Sequence, residues 1–326
     1  MAKYKAIHGF TVQNRTADTN PLNIGQVYYR SDTGDMKVTL NVVGAGAWAS
    51  GGNLNIKRMG AGGAGVQTAG AIFGGDNDGV ASPRYGLHEQ YDGSSWTELA
   101  DLNQQASYTG GTGTQTAALK FGGYSNARHA NTEAWNGTSW TELGDMNTAR
   151  FGAASVGHTN TSAFAVGGTS ADDSTADIVE QWNGNSWTEI ADINTGRAYL
   201  GGSGLTTAGV VFGGGPEEGK TETWNGTSWA EVTDMNTDER YGLGSATQGT
   251  SSNALGFGGG SPTVTVNTES WNGTAWTELN NLATARRNLT GLGTPTSGLA
   301  VGGEPPILTA TEEWTQALAT VSFDID

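Results

Sequence analysis

Trp135-Asn136-Gly137-Thr138-Ser139-Trp140 is the stretch on which the reading of this chain turns. The pattern Trp-Asn-Gly-x-(Ser/Ala)-Trp returns at residues 182–187, 224–229 and 271–276, and as Tyr-Asp-Gly-Ser-Ser-Trp at 91–96. An apolar residue with a double glycine recurs beside it: Phe73-Gly74-Gly75, Phe121-Gly122-Gly123, Val166-Gly167-Gly168, Phe212-Gly213-Gly214, Phe257-Gly258-Gly259 and Val301-Gly302-Gly303. Units repeated at a period of roughly 45 residues have the length of a propeller blade of four short strands.

Each unit reads as strands a, b, c and d. In the third, a covers 151–157, b ends on the double glycine at 167–168, c covers 176–182 and d opens at Trp187. The Asn-Gly pair between c and d is the preferred centre of a two-residue type I′ turn, because both central residues need positive φ. That register sets Trp135 opposite Thr138 and leaves Trp135 and Trp140 diagonal on one face, close enough for their rings to touch. Each buried ring of this size removes about 150 to 250 Å² from water, a gross gain of roughly 4 to 6 kcal/mol before chain entropy.

The tryptophans sort into two sets, and the sorting predicts how the ring of blades closes. Those ending strand c are Trp135, Trp182, Trp224, Trp271 and Trp314, with Tyr91 substituting once; those opening strand d are Trp48, Trp96, Trp140, Trp187, Trp229 and Trp276. The first d-type Trp precedes every c strand, and the last c-type Trp has no d-type partner after it. Residues 48–58 also align with 140–150, so the strand at Trp48 is expected to complete the sixth blade, removing free edges and joining the two ends. The rival for that slot is the tail 319–326, which is otherwise a spare edge strand open to a partner. The small-residue stretches fit strand a, where backbones crowd the axis, and Gly-Ala-Gly-Gly-Ala-Gly at 60–65 lacks the βαβ setting of a nucleotide loop.

Composition agrees with a packed all-β chain. Glycine is 52 of 326 residues without a collagen period, and 11 tryptophans argue against disorder. A formal charge of -16 repels phosphate backbones and anionic membrane surfaces, so nucleic acid is not expected as a partner. With no cysteine, disulfides, thiolate metal sites and a cysteine nucleophile are excluded. The start lacks the apolar core of a signal peptide and no apolar run is long enough to cross a bilayer, so a soluble chain without membrane insertion is expected.

The double glycine closing strand b, the aromatic in strand c and the Trp opening strand d resemble the Kelch repeat, over 48–314. The resemblance implies an all-β, six-bladed Kelch-like β-propeller and an Arg near the start of each strand a. That Arg stands at Arg58, Arg150, Arg197 and Arg286, one place late at Arg240, and is replaced by Ala106 in the second unit. These arginines are expected to bond backbone carbonyls between blades. Residues 1–47 lack the repeat and read as a short N-terminal β-hairpin adaptor: an aromatic strand at 26–30, an Asp-Thr-Gly turn, then Met36, Val38, Leu40 and Val42 alternating with polar residues. The division expected is 1–47 adaptor, 48–318 propeller and 319–326 tail strand.

The wording Gly-Gln-Val-Tyr-Tyr at 25–29 resembles N-terminal segments of phage tail, fibre and baseplate proteins, and the texture of 110–123 is similar to Kelch-like proteins of marine and cyanobacterial phages. This implies a virion structural protein present in multiple copies, contacting other virion proteins through 1–47 and presenting the propeller to host surface glycans or to neighbouring subunits. No enzyme activity, cofactor or metal is expected. The four histidines fall at unrelated repeat phases, and the Kelch oxidases with a tyrosyl-cysteine cofactor are excluded by the lack of cysteine. The alternatives are a carbohydrate-active Kelch enzyme of the epimerase or mutarotase type and an intracellular adaptor. The b-to-c and d-to-a loops share one face, and the acidic b-to-c loops, with Asp76, Asp78, Asp172, Asp173, Glu217 and Glu218, are the expected contact surface. Residues 76–79 echo a calcium loop without its later glutamate.

Overall fold

The structure is a computed structural model describing residues 13–16, 27–77, 86–171, 174–216, 219–238, 240–260 and 262–323. The described residues form strands and turns without a helix, and the chain divides into two compact units, 47–315 and 1–46 with 316–326.

The larger unit holds six four-stranded antiparallel sheets, arranged like the blades of a propeller. The second is representative: Gly110–Thr114 (a), Ala117–Phe121 (b), Thr132–Trp135 (c) and Trp140–Glu142 (d), joined in that order. The a strands touch in cyclic succession, the last, Thr290–Thr294, returning to the first, Gly62–Val66. Close approach explains their glycines: a Cβ on Gly111 would lie 2.6 Å from the backbone nitrogen of Gly63. Strand a still has an edge without a sheet partner, and hydroxyls serve it. Gly111 N–H donates to Ser155 Oγ at 2.9 Å, Ser203 Oγ donates to the Ala246 carbonyl at 2.7 Å, and Thr290 Oγ1 donates to Ala61 at 2.8 Å.

In the sixth sheet Ala47–Ser50 pairs antiparallel with Thr311–Thr315, with Trp48 opposite Trp314. The tail does not take that slot. Leu318–Phe323 pairs instead with Asp35–Val43, in a sheet that also contains Val27–Arg30 and, parallel to it, Gln13–Arg15. The tail is thus the edge strand of that sheet, with one side paired to Asp35–Val43. In the hairpin, Arg30 donates to both carboxylate oxygens of Asp32, at 2.7 and 2.5 Å, and Tyr28 is fully buried.

The c-to-d turn departs from the expected type I′ form. Trp135 lies directly opposite Trp140, so four residues, 136–139, make the connection. Asn136 Oδ1 explains the extra length, because it accepts from the N–H groups of Thr138 and Ser139 and from Thr138 Oγ1, all at 2.9 Å. Only Gly137 then needs positive φ, at 98°. Asp92 fills the same role in the first sheet, where the N–H of Ser95, then the Ser94 hydroxyl and N–H, hold its carboxyl pKa down at about 2. Direct opposition brings the indoles together, with centroids 5.3 to 5.6 Å apart in the five Trp-Trp pairs.

These pairs lie within sheets, and the bond between sheets is made by the d-type member. Trp187 Nε1 donates to Thr132 Oγ1 of the preceding sheet at 2.8 Å, and Trp48, Trp96 and Trp276 do the same to Thr268, Thr311 and Thr221. The aromatic before the double glycine packs edge-on against the same indole, as in Phe121–Trp187 at 5.0 Å. Two positions vary. Val179 stands where the others have an acceptor, and the buried Trp229 Nε1 has no hydrogen-bond partner among the described residues. Val179→Thr is expected to stabilise the fold by about 1 kcal/mol in a denaturant titration, since it supplies an acceptor to an orphaned donor.

His88 is the other variant, accepting at Nδ1 from Trp140 Nε1 at 3.3 Å while buried. Burial, with a smaller contribution from Arg58, lowers its pKa to about 4. The unfolded chain binds a proton near pH 6.5 that the folded chain refuses until about pH 4. Stability is thus present above 6.5 and lost as pH falls through that window, by about 3 kcal/mol in total. His88→Thr is expected to flatten this part of the pH profile, read as unfolding midpoint from pH 7 to pH 4.

The arginines do more than bond carbonyls. Arg197 is buried and donates to the Gly213 and Lys220 carbonyls at 2.8 and 2.7 Å and to Glu222 at 2.9 Å. Arg58, Arg150, Arg240 and Arg286 pair likewise with Glu89, Glu180, Glu269 and Glu312. Each glutamate is buried in strand c, two residues before its aromatic, and is gripped from the connection that leaves the preceding sheet. Asn147, for example, donates its backbone N–H and Nδ2 to Glu180 Oε2 at 2.6 and 2.8 Å. In the second sheet Ala106 offers no charge, and Lys120 replaces it from strand b. Its Nζ bonds Asn131 Oδ1 at 2.8 Å, and Asn131 bonds Glu133. Burial lowers Lys120 to about 8 against the attraction of Glu133. The residues aligned with Lys120 in the other sheets, such as Ile72, Ala165 and Val211, carry no charge.

Candidate functional site at the axial mouth

Strand a begins, in every sheet of the larger unit, just after a residue in the left-handed region: Gly60, Tyr108, Gly152, Tyr199, Gly242 and Asn288, with φ between 52° and 68°. Their backbones form a closed circuit. Each N–H donates to the carbonyl of the preceding member, from Tyr108 to Gly60 at 2.5 Å round to Gly60 to Asn288 at 2.8 Å. The six distances lie between 2.5 and 3.0 Å.

Glycine alternates with a larger residue because each side chain lies over the preceding member. A Cβ on Gly60 would be 2.7 Å from the Tyr108 ring, one on Gly152 3.4 Å from Tyr199, and one on Gly242 2.5 Å from Asn288 Oδ1. The circuit frames the face shared by the b-to-c and d-to-a loops. Below it the a strands line a cavity of about 120 Å³ whose walls are glycine, alanine, serine, threonine, leucine, the two tyrosines and Asn288.

The opposite end of the cavity is crossed. In the fifth sheet strand a is only Gly244–Ser245, and the chain after it turns toward the axis. Gln248 N–H donates to Gly293 of the sixth sheet, and its Nε2 reaches Gly113 of the second at 3.2 Å.

The rim is divided in character. Over the second to fifth sheets it is aromatic: Tyr199 meets Tyr241 at 4.5 Å and Tyr108 at 5.3 Å, and Phe151 meets Tyr124 at 5.1 Å. Arg128 lies over Phe151 at 5.6 Å. Burial, then Tyr241, pushes the Tyr199 phenol far up, so it stays neutral. At the sixth sheet the rim is polar. Glu304 Oε1 accepts from Asn288 Nδ2 at 2.9 Å and from Arg287 Nε at 3.3 Å. Asn288 is 9% exposed, and its Oδ1 has no hydrogen-bond partner among the described residues.

Of the acidic residues expected to make contacts, Asp76 is buried at this face with its backbone paired to Met59. Asp78, Asp172, Asp173, Glu217 and Glu218 lie outside the described residues, as does Gly79 of the calcium-like stretch. The aromatic and amide residues of the rim were not anticipated from the sequence. The only signal for them was a Tyr or Asn aligned with glycines two residues before the strands a.

One hydroxyl–imidazole pair lies in a b-to-c loop: Ser125 Oγ and His129 Nε2 are 2.6 Å apart. Burial, then Lys120, lowers the His129 pKa. Among the described residues no carboxylate bonds the ring, and the pair spans a loop also tied by His129 N–H to Gly123 at 2.8 Å. Comparison with known proteins returns neither a matching family model nor a matching curated protein.

Proposed function

We propose that residues 47–315 are a six-bladed Kelch-like propeller serving as a recognition module, in a phage virion structural protein of the tail, fibre or capsid surface. The N-terminal segment holds other virion proteins, and the axial mouth meets a host surface glycan. The observation that carries this reading is the divided rim. A sugar ring has an apolar C–H face and a polar periphery, and the aromatic arc beside the Arg287–Asn288–Glu304 group offers a partner to each. A cavity crossed at one end by Gln248 suits capture better than passage.

Binding without turnover is favoured over carbohydrate chemistry because the rim does not converge on a reacting centre: the aromatic side chains pack on one another, and Glu304 is occupied by Asn288 and Arg287. The test has two parts. Mass spectrometry of purified particles should find the chain at fixed stoichiometry, and a glycan array should show retained ligands with no product in the supernatant. Absence from particles removes the virion reading, and released or isomerised sugar removes the binding one.

A further inference from the structure

Resting on the recognition reading, a narrower statement follows from four features of the mouth. The first is the blind cavity, which receives a projecting end rather than a chain passing through. The second is that, among the described residues, its walls hold no carboxylate, lysine, arginine or histidine. The third is that the two rim cations among the described residues are engaged, Arg287 by Glu304 and Arg128 over the Phe151 ring. The fourth is Asn288 Oδ1, an acceptor nine-tenths buried beside the cavity and without a donor among the described residues, while Nδ2 of the same amide is fixed on Glu304.

A buried acceptor left unpaired is costly, and a ligand that brings a donor recovers that cost. We infer that the mouth takes the chain-end residue of a neutral glycan, one of whose hydroxyl or amide hydrogens is donated to Asn288 Oδ1 while its C–H face lies on Tyr108 and Tyr199. The orientation of the amide fixes the polarity of the bond: the ligand donates. Uronic and sialic acids are disfavoured, because their carboxylate would face Glu304 and a chain of formal charge -16, while Arg287 and Arg128 are already engaged by Glu304 and the Phe151 ring.

The left-handed backbone supplies a clean variant. Glycine already occupies three of the six circuit positions, so Asn288→Gly keeps φ and the backbone bonds while removing the acceptor. Tyr108→Gly does the same for one aromatic wall. The full chain and both variants are titrated by calorimetry with methyl glycosides of glucose, galactose, mannose and N-acetylglucosamine, and with methyl glucuronide and N-acetylneuraminic acid. At least one neutral glycoside is expected to bind, weakened on the order of 10-fold or more in each variant, and the two acids are expected to bind more weakly. Preference for an acid, or unchanged affinity in both variants, overturns the assignment while leaving glycan recognition standing at another surface. Failure of every sugar here and on the array removes both.

Discussion

Arg150→Ala is expected to destabilise the chain by about 3–5 kcal/mol, among the largest effects of any single substitution. The loss comes from what stays behind. Glu180 remains fully buried, still held by Asn147 and Thr148 N–H groups, with its counter-charge gone. Replacing both partners, as Arg150→Ala with Glu180→Gln, is expected to cost less than the sum of the single changes, because the stranded charge is removed. The second sheet offers an internal control. Lys120→Met should cost as much as Arg150→Ala, and adding Ala106→Arg should recover most of it by restoring the arrangement used by the other five sheets. Denaturant titration of these variants measures the claim. A loss below about 1 kcal/mol for Arg150→Ala would mean that the pairs are screened like surface ion pairs.

The second large effect is at the axial circuit. Gly242→Ala is expected to cost about 2–3 kcal/mol, part from a left-handed alanine and part from a Cβ set 2.5 Å from Asn288 Oδ1. Adding Asn288→Gly removes the clash and leaves only the backbone strain, about 1 kcal/mol. The same logic applies to Gly60 under Tyr108. Both sets of values come from unfolding midpoints, and equal costs with and without Asn288→Gly would show that the side chains do not lie over the glycines.

Much of this fold is written plainly in the sequence, because the signals repeat. Six double glycines and twelve aromatics in two phases predict four-stranded units and the strand exchange at Trp48, and Trp48 does lie opposite Trp314. The turn type was misread since Asn-Gly favours a two-residue hairpin only when nothing competes; here Thr or Ser supplies N–H groups that the Asn136 carbonyl collects. The glutamates of strand c were equally regular in the sequence, yet a Glu in a strand of alternating polarity reads as solvent-facing until its arginine is seen to arrive from the preceding sheet. The mouth was the least legible part. Tyr108, Tyr199 and Asn288 matter through a circuit of backbone bonds among residues some 45 positions apart, and a single left-handed residue leaves no local pattern.

Everything at the mouth depends on the sheets closing in the order described, with residues 47–50 as the last strand. The chain has no cysteine, so a designed pair tests this without interference. Ala49 and Glu313 are direct partners across that junction, and the double variant Ala49→Cys with Glu313→Cys is to be oxidised and its disulfide mapped. The account predicts an intrachain bond in the monomer and a stability gain of up to about 5 kcal/mol, because the bridge closes nearly the whole larger unit. A bond formed only between chains, or cross-linking of Glu313→Cys to a cysteine placed in the tail instead, would contradict it.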